Sequence, residues 1–429
     1  MIDIKLLRES PEQVRESQKK RGMNSEIVDE FLEIDKTWRE LKLEVDNLRA
    51  KRNKLSESIN QAKKEGKDVK TIIEEAKKIP EKLQRLEEEI KEKEIRREEI
   101  WKDIPNIPDK SVPVGGAEKN KVIKEYGKPE KAKFEHKDHA DILMALNLLD
   151  TQKASDVAAS RFYYLKGELV KLNFAIINYA LDLLRKKGFV LMQPPYMLRK
   201  EILAGAIPLA AFEEMIYKID GEDLYLIGTA EHAINAYHSN EILNVEKPIR
   251  YAGISPCFRK EAGAHGKDTK GIFRIHQFEK VEQFVFCKPE EAWKEFDLIL
   301  NNTIELFKGL EIPFRVILLS SGDMGRVPVK TCDVEGWFPS QNAYRELASC
   351  SNCTDFQARR SNIRYNANGE MKFVNTLNNT AIATERMMAC LVDNFQQADG
   401  SIKIPKALWK YTGFKEIKVE KKKDNKKKK

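Results

Sequence analysis

Between residues 29 and 103 the apolar residues recur at alternating intervals of three and four, while 41 of the 75 positions are charged. Phe31, Ile34, Trp38, Leu41, Val45, Leu48, Leu55, Ile59 and Ala62 keep the pattern, with Arg52 interrupting it. After the polar turn EGKD (Glu65 to Asp68) it restarts at Ile72, Ala76, Ile79, Leu83, Leu86, Ile90 and Ile100, and Lys93 and Arg97 stand at the missing seam positions. A helix of this period buries one narrow stripe, so two of them joined by a short turn predict an antiparallel coiled-coil hairpin. Each helix would be about 50 Å long at 1.5 Å per residue. Pro80 falls inside the second helix and is expected to kink or interrupt it.

The hairpin is nearly neutral, with 20 basic and 21 acidic residues, but its charge is polarised. Arg49, Lys51, Arg52, Lys54, Lys63, Lys64, Lys67 and Lys70 face only Glu57, Glu65 and Asp68, a local +5 over residues 49–70. A projecting basic rod suits an RNA phosphate groove. The other reading is a solvated coiled-coil face or a dimerisation rod. The net charge of the whole chain, +8, says less, because seven lysines and one aspartate of the last nine residues supply +6 of it. A lysine tail of this kind reads as a solvated, disordered end.

Mean hydropathy is −0.55, and the longest apolar run, FAIINYALDLL, is broken by Asn178 and Asp182. No membrane partner is expected. The start, MIDIKLLRES, has no apolar core of a signal peptide, and six unevenly spaced cysteines make no disulfide framework, so a cytoplasmic protein is expected.

Pro105, Pro108, Pro113, Gly115 and Gly116 end the helical region and mark a linker. The expected division is residues 1–112 carrying the arm (29–103), a globular domain 113–414, and a Lys-rich tail 415–429. In the globular part, helical patterns at Leu165–Lys187 and Glu290–Leu310 alternate with β-rich runs: DLYLIGTA, YAGISPCFRKE and GIFRIHQFEKVEQFVF. Successive β-runs without an intervening helix predict an antiparallel sheet flanked by helices, hence an α+β fold. If the runs around AGAHGKDTKG are strands, period 2 puts Ser255, Cys257, Arg259 and Glu261 on one face, and Arg274, His276, Phe278, Lys280 and Glu282 likewise. Guanidiniums, an aromatic plate and carboxylates on one surface suit a nucleoside triphosphate and an amine. Equally, Arg and Glu on such strands can simply pair across the hairpin.

The run FRKEAGAHGKDTKGIFRIHQFEKVE resembles motif 2 of class II aminoacyl-tRNA synthetases in the form found in the seryl-tRNA synthetase family. GFVLMQPPYM is similar to motif 1, with Pro195 as its proline, and TLNNTAIATERMMACLVDN to motif 3, with Arg386 as its arginine. LIGTAEH resembles the family's serine-binding Thr-x-Glu element, and AYRELASCSNCTDFQARR a block of the seryl family. The likeness extends to the N-terminal helices, the arm and WKYTGFKEI. Two departures stand out: Gly228 where proline is frequent, and Ala158-Ala159 where Ser-Gly is frequent.

The resemblance implies a class II catalytic domain and a homodimer built on motif 1. It implies that Arg259, Glu346 and Arg386 are catalytic, and that Lys260, Glu261, Arg274, Ile275, Phe278, Leu347, Ala348 and Ser349 join them in binding ATP. Thr229, Ala230, Glu231, Arg259, Glu282, Asn378 and Thr380 would take L-serine. Glu346 and Ser349 would hold Mg²⁺ with the ATP, and Arg49, Lys51, Arg52, Lys54, Lys63 and Lys64 would meet tRNA. The partners implied are tRNA(Ser) and, where it exists, tRNA(Sec). The loop 262–271 is expected to move between the ATP and tRNA steps. No zinc is expected: Cys350-x-x-Cys353 has no second ligand pair, and the Thr229-x-Glu231 and Asn378-x-Thr380 elements are intact. His265 and His276 are tempting as bases, yet His276 reads as a local hydrogen-bonding residue, and Met387 and Met388 as core. The alternatives are an amino acid:carrier-protein ligase, which would lack the arm, and a non-catalytic coiled-coil RNA-binding protein.

Overall fold

The structure is a computed structural model that describes residues 1–129, 134–208, 213–261 and 270–418. Most of the loop 262–271, with His265, and the lysine tail lie outside the described residues. The chain forms two compact units, Met1–Pro105 and Asn106–Lys429.

In the first unit two short helices, α1 (Ile4–Glu9) and α2 (Pro11–Lys20), precede the long pair α3 (Glu26–Lys64) and α4 (Lys70–Asp103). Val45, Ile79, Leu83 and Leu86 bury the seam between the long helices, flanked by Leu41, Leu48, Leu55 and Ile90. Ion pairs Arg49–Glu87, Lys51–Glu75 and Lys82–Glu44 cross it at 2.8, 2.5 and 2.7 Å. Helix α4 runs through Pro80 without interruption, against one of the two expectations. The proline cannot donate to the carbonyl one turn back, but Ile79 and Leu83 beside it are packed on α3, which holds the turn in register. Arg97, the charged intruder in the seam, is buried; its Nε donates to Asp35 at 2.8 Å and its guanidinium lies 4.2 Å from the Trp38 ring. Asp35, fully buried, also accepts from Arg8 at 2.7 and 2.9 Å and from Arg39 at 3.1 Å.

The second unit is built on an eight-stranded sheet: β1 (Lys121–Tyr126), β2 (Val190–Met192), β3 (Ile249–Phe258), β4 (Gln277–Cys287), β5 (Phe314–Leu318), β6 (Lys330–Phe338), β7 (Ala343–Thr354) and β8 (Asn375–Ala383). Their spatial order is β1-β5-β6-β7-β8-β4-β3-β2, antiparallel except for the β2–β3 edge pair. Helices α5 (Glu168–Lys186), α7 (Ala292–Gly309) and α8 (Thr384–Phe395) cover one face, while α6 (Ala230–Tyr237) packs on the other through Ala230 and Ile234. Period 2 on β4 sorts the two sides: Val281 and Val285 join the core beneath the helices, and Phe284 and Phe286 the core beneath α6. A buried polar network pins α7, with Gln283 and Asn379 donating to the Ile299 carbonyl at 3.1 and 2.6 Å. The expected linker is strapped to this unit: Asn106 donates to the carbonyls of Val327 and Cys353 at 3.0 Å each, and the Asp109 amide to Val329 at 2.8 Å.

The motif 2 strands are shorter than expected. They end at Phe258 and resume at Gln277, so Arg259, Glu261, Arg274 and His276 lie beyond the regular ladder. The Arg259 amide still reaches the His276 carbonyl at 2.9 Å, but the His276 amide turns to Arg161 and Glu261 adopts φ 47°. Within the ladder, Ser255 and Cys257 face Lys280 and Phe278 in register, and these four with Glu282 keep the predicted shared face. DLYLIGTA is likewise a strand only at Tyr225–Leu226, because Thr229 already caps α6.

Candidate active site

On the α6 side of the sheet lies a cleft of about 370 Å³. Its floor follows from strand alternation: Phe278 and Glu282 flank Lys280 on β4, Asn378 and Thr380 lie on β8, and Ser349 and Ser351 on β7.

At one end two carboxylates meet. Glu231, in the first turn of α6, accepts from Gln357 Nε2 at 2.7 Å and Asn378 Nδ2 at 3.0 Å. Burial, and then the charge of Glu282, push its carboxyl up to about 7. Glu282 Oε2 gathers the Lys280 ammonium at 2.5 Å and the hydroxyls of Thr229 and Thr380 at 3.4 Å each. Thr229 caps α6, its Oγ1 accepting from the Glu231 amide at 3.3 Å, so backbone geometry ties one residue of the pair to the other. His232 beneath them is driven down to about 3 by burial and by the charges of Arg259 and Lys280, which keeps it neutral.

The other end is cationic. Arg259 Nε donates to the Gly228 carbonyl at 3.1 Å and its guanidinium lies 5.3 Å from the Phe278 ring centre. Arg274 pairs with Glu261 at 2.8 Å, and Arg386 with Glu346 at 3.2 Å. Arg386 sits in the first turn of α8, with its guanidinium 5.2 Å from the Phe273 ring centre. Burial alone would raise the Glu346 carboxyl, yet the nearby charges of Arg386 and Arg259 bring it below its ordinary value. Its side chain remains 47% exposed because it faces the open cleft. The cleft therefore offers three anion-binding guanidiniums with an aromatic plate at one end, and paired carboxylates with hydroxyls and an amide at the other. Glu346 and Ser349, both lining it, are hard oxygen donors of the kind Mg²⁺ takes. Behind them the buried Asp333 Oδ1 has no hydrogen-bond partner among the described residues, and Asp333 stands opposite Ser349 in register.

Most of the residues expected from sequence converge here: Thr229, Glu231, Arg259, Glu261, Arg274, Ile275, Phe278, Glu282, Glu346, Leu347, Ala348, Ser349, Asn378, Thr380 and Arg386 all line the cleft. Two do not. Ala230 is packed into the core under α6, and the Lys260 ammonium sits 5.8 Å from the Tyr217 ring centre. The reason is a distant backbone partner: the Lys260 amide bonds the Met215 carbonyl at 2.9 Å, which turns its side chain away from its neighbours. His276 bonds the Arg259 carbonyl and the Tyr217 hydroxyl, both at 2.9 Å. Met387 and Met388 are buried in the core. Cys350 belongs to the core beneath the helices whereas Cys353 lines the cleft, accepting from Asn378 at 3.5 Å, so the pair does not converge on one ion. Lys280 and Phe273 also line the cleft and were missed as site residues; for Lys280 the signal was present, since period 2 places it between Phe278 and Glu282.

On the arm, Arg49 and Lys51 are tied to α4, whereas Arg52, Lys54, Lys63 and Lys64 are exposed and make no ion pair among the described residues.

Comparison with known proteins bears on both units. The family model for the seryl-tRNA synthetase N-terminal domain matches residues 1–108, and that for the tRNA synthetase class II core domain (G, H, P, S and T) matches residues 215–395. The serine–tRNA ligase of Nitrosopumilus maritimus is 46% identical over 417 residues, covering 96% of this chain and 99% of the relative. The crystal structure of seryl-tRNA synthetase from Pyrococcus horikoshii complexed with ATP superposes with a TM-score of 0.93 at 44% identity, over 98% of this chain and all of that one. The cytoplasmic serine–tRNA ligase of Naegleria fowleri, in complex with AMP, gives 0.87 at 35% identity over 98% and 99% of the two chains. Full-length likeness at this identity, together with matches to both the arm and the core, makes the chain a member of the seryl-tRNA synthetase family.

Proposed function

We propose that the chain is a serine–tRNA ligase: it activates L-serine with ATP to seryl-adenylate, releasing pyrophosphate, and passes serine to the 3′-terminal ribose of tRNA(Ser), and of tRNA(Sec) where that exists. The observation that carries the reading is the division of one cleft into a carboxylate–hydroxyl end and a guanidinium end, in a chain that matches the family over nearly its full length. The match over residues 1–108 disfavours a carrier-protein ligase, and the convergent cleft disfavours a non-catalytic scaffold.

In this reading Glu231, Glu282, Thr229, Asn378 and Thr380 receive the ammonium and hydroxyl of serine. A pocket with polar groups fitted to a hydroxyl rejects alanine, because those groups would be left unpaired. ATP lies with its adenine against Phe278 and Ile275 and its phosphates among Arg259, Arg274 and Arg386. The serine carboxylate attacks the α-phosphorus in line, so no protein nucleophile is needed. Arg259 stabilises charge developing on the α-phosphate and Arg386 charge on the departing pyrophosphate. Glu346 and Ser349 would hold Mg²⁺, which when bound would supply charge neutralisation to the triphosphate. The backbone from Glu346 through Leu347 and Ala348 to Ser349 sets the spacing of these two ligands.

Arg52, Lys54, Lys63 and Lys64, with Arg49 and Lys51, face tRNA phosphates from the arm. The chain works in the cytoplasm as a homodimer. Exposed apolar side chains on α5 and β2, among them Phe174 (54% exposed) and Val190 (58%), support that assembly. Among the described residues no helix is long and apolar enough to cross a membrane. Serine-dependent ATP–pyrophosphate exchange followed by charging of total tRNA tests the reading. Exchange driven by another amino acid, or by none, would sink it.

A further inference from the structure

The cleft contains a buried cation that the substrate roles above leave unused. Lys280 lies in mid-strand on β4, two residues before Glu282 and on the same face, and its ammonium meets Glu282 Oε2 at 2.5 Å. Both side chains are nearly enclosed, with 8% and 2% of their surface exposed. The Thr229 and Thr380 hydroxyls point at the same oxygen, each at 3.4 Å. Every contact the carboxylate makes among the described residues therefore falls on Oε2. Glu282 lines the cleft, and Oε1 is its oxygen with no ion pair or hydrogen bond among the described residues.

That asymmetry has a chemical consequence. An ionised carboxylate accepts through two oxygens, and a ligand that brings both a hydroxyl and an ammonium needs one of them held at a fixed place. Two hydroxyl contacts of 3.4 Å are too long to fix a carboxylate by themselves. The short, charge-assisted contact to Lys280 does so. It also supplies positive charge between two carboxylates, since Glu231 lies close enough for Glu282 to raise it and for Lys280 to lower it.

We propose that Lys280 is a specificity-determining positioning residue: by anchoring Oε2 of Glu282 it leaves Oε1 aimed at the side-chain hydroxyl of the amino-acid substrate. The proposal rests on the reading of the cleft as a serine site. Lys280 acts through Glu282 and does not touch the reacting atoms. An ion pair that served stability alone would leave substrate choice untouched when removed from the folded protein. An ion pair that aims an acceptor would not.

The test is amino-acid-dependent ATP–pyrophosphate exchange with the full-length Lys280→Met and Lys280→Arg proteins, each checked for native circular dichroism. Losing a charged hydrogen-bond partner predicts that Lys280→Met raises the KM for serine roughly 10- to 100-fold. The KM for ATP should stay within about 2-fold, and the ratio of kcat/KM for serine over alanine should fall about 10-fold. Lys280→Arg, which keeps the charge but moves the donors, should fall between wild type and Lys280→Met in both serine KM and selectivity. If Lys280→Met does not fold, the Lys280→Arg protein reads the same split between serine and ATP. Unchanged serine KM and selectivity, or serine and ATP KM rising together, would overturn the proposal. Wild-type exchange driven by a different amino acid would overturn the substrate reading instead, and the same split measured on that amino acid would still decide what Lys280 does.

Discussion

At Ala159 the backbone sits at φ 152°, a region that glycine enters freely and alanine does not. This is one of the two positions where the family resemblance led one to expect Ser-Gly, so the departure in sequence is matched by strain in the fold. Relief of that strain, less the extra freedom glycine brings to the unfolded chain, predicts that Ala159→Gly is more stable by about 1 kcal/mol in denaturant melts. Glu385 makes a second prediction. It is buried at the head of α8 and accepts from the Glu279 amide and Thr384 Oγ1 at 2.9 Å each, and from the Tyr163 hydroxyl at 2.5 Å. Burial pushes its carboxyl from 4.5 up to about 7, outweighing those hydrogen bonds. The folded chain thus holds a proton there that the unfolded chain has already lost. The associated stability is fully present below about 4.5 and disappears as pH rises through about 7. Glu385→Gln should flatten the fall in unfolding free energy between these two values, as measured by denaturation at a series of pH values. An unchanged slope would show that Glu385 is not its source.

Among the elements, the two arm helices and the helices flanking the sheet were legible because a buried stripe imposes a period that no loop has. The seam residues Val45, Ile79, Leu83 and Leu86 are buried as their spacing demands. Even the misfit at Arg97 carried information, since a charge in an apolar seam calls for a partner, and Asp35 supplies it. The ends of β3 and β4 were not legible. What stops that ladder is an amide of His276 spent on Arg161, more than a hundred residues away in sequence, and a left-handed Glu261; neither leaves a local mark. The same holds for Lys260, turned aside by the carbonyl of Met215. In the catalytic unit, side-chain chemistry was readable from motifs, whereas side-chain direction depended on distant backbone partners. Helix α4 offers a test at this scale. It carries Pro80 without interruption and so gives up one backbone hydrogen bond. Pro80→Ala should stabilise the hairpin by about 1–3 kcal/mol, seen as slower amide exchange around residues 76–84. No gain would mean that the proline turn is already strain-free.

For the whole molecule, the two compact units suggest a division of labour that can be cut apart. The cut must spare the buried Asp35, which binds Arg8, Arg39 and Arg97 together at the foot of the hairpin. Replacing residues 41–92 with a short linker should leave serine-dependent pyrophosphate exchange within about 2-fold of the full chain, because the cleft lies wholly in the other unit, and should reduce tRNA charging by more than about 100-fold as the phosphate contacts are lost. Loss of exchange in the folded deletion would contradict that division. The catalytic unit has a further property that concerns it as a whole. Two of the guanidiniums placed to meet phosphates are already matched by the chain's own acids: Arg274 by Glu261 and Arg386 by Glu346. The cleft is thus an ion exchanger loaded with its own counter-ions. A stray monovalent anion must displace a tethered carboxylate for one weak contact, and effective local concentration favours the tether. In the proposed reading a triphosphate would displace both at once, so the guanidinium end would favour a ligand of high valence before any base or side chain has been recognised.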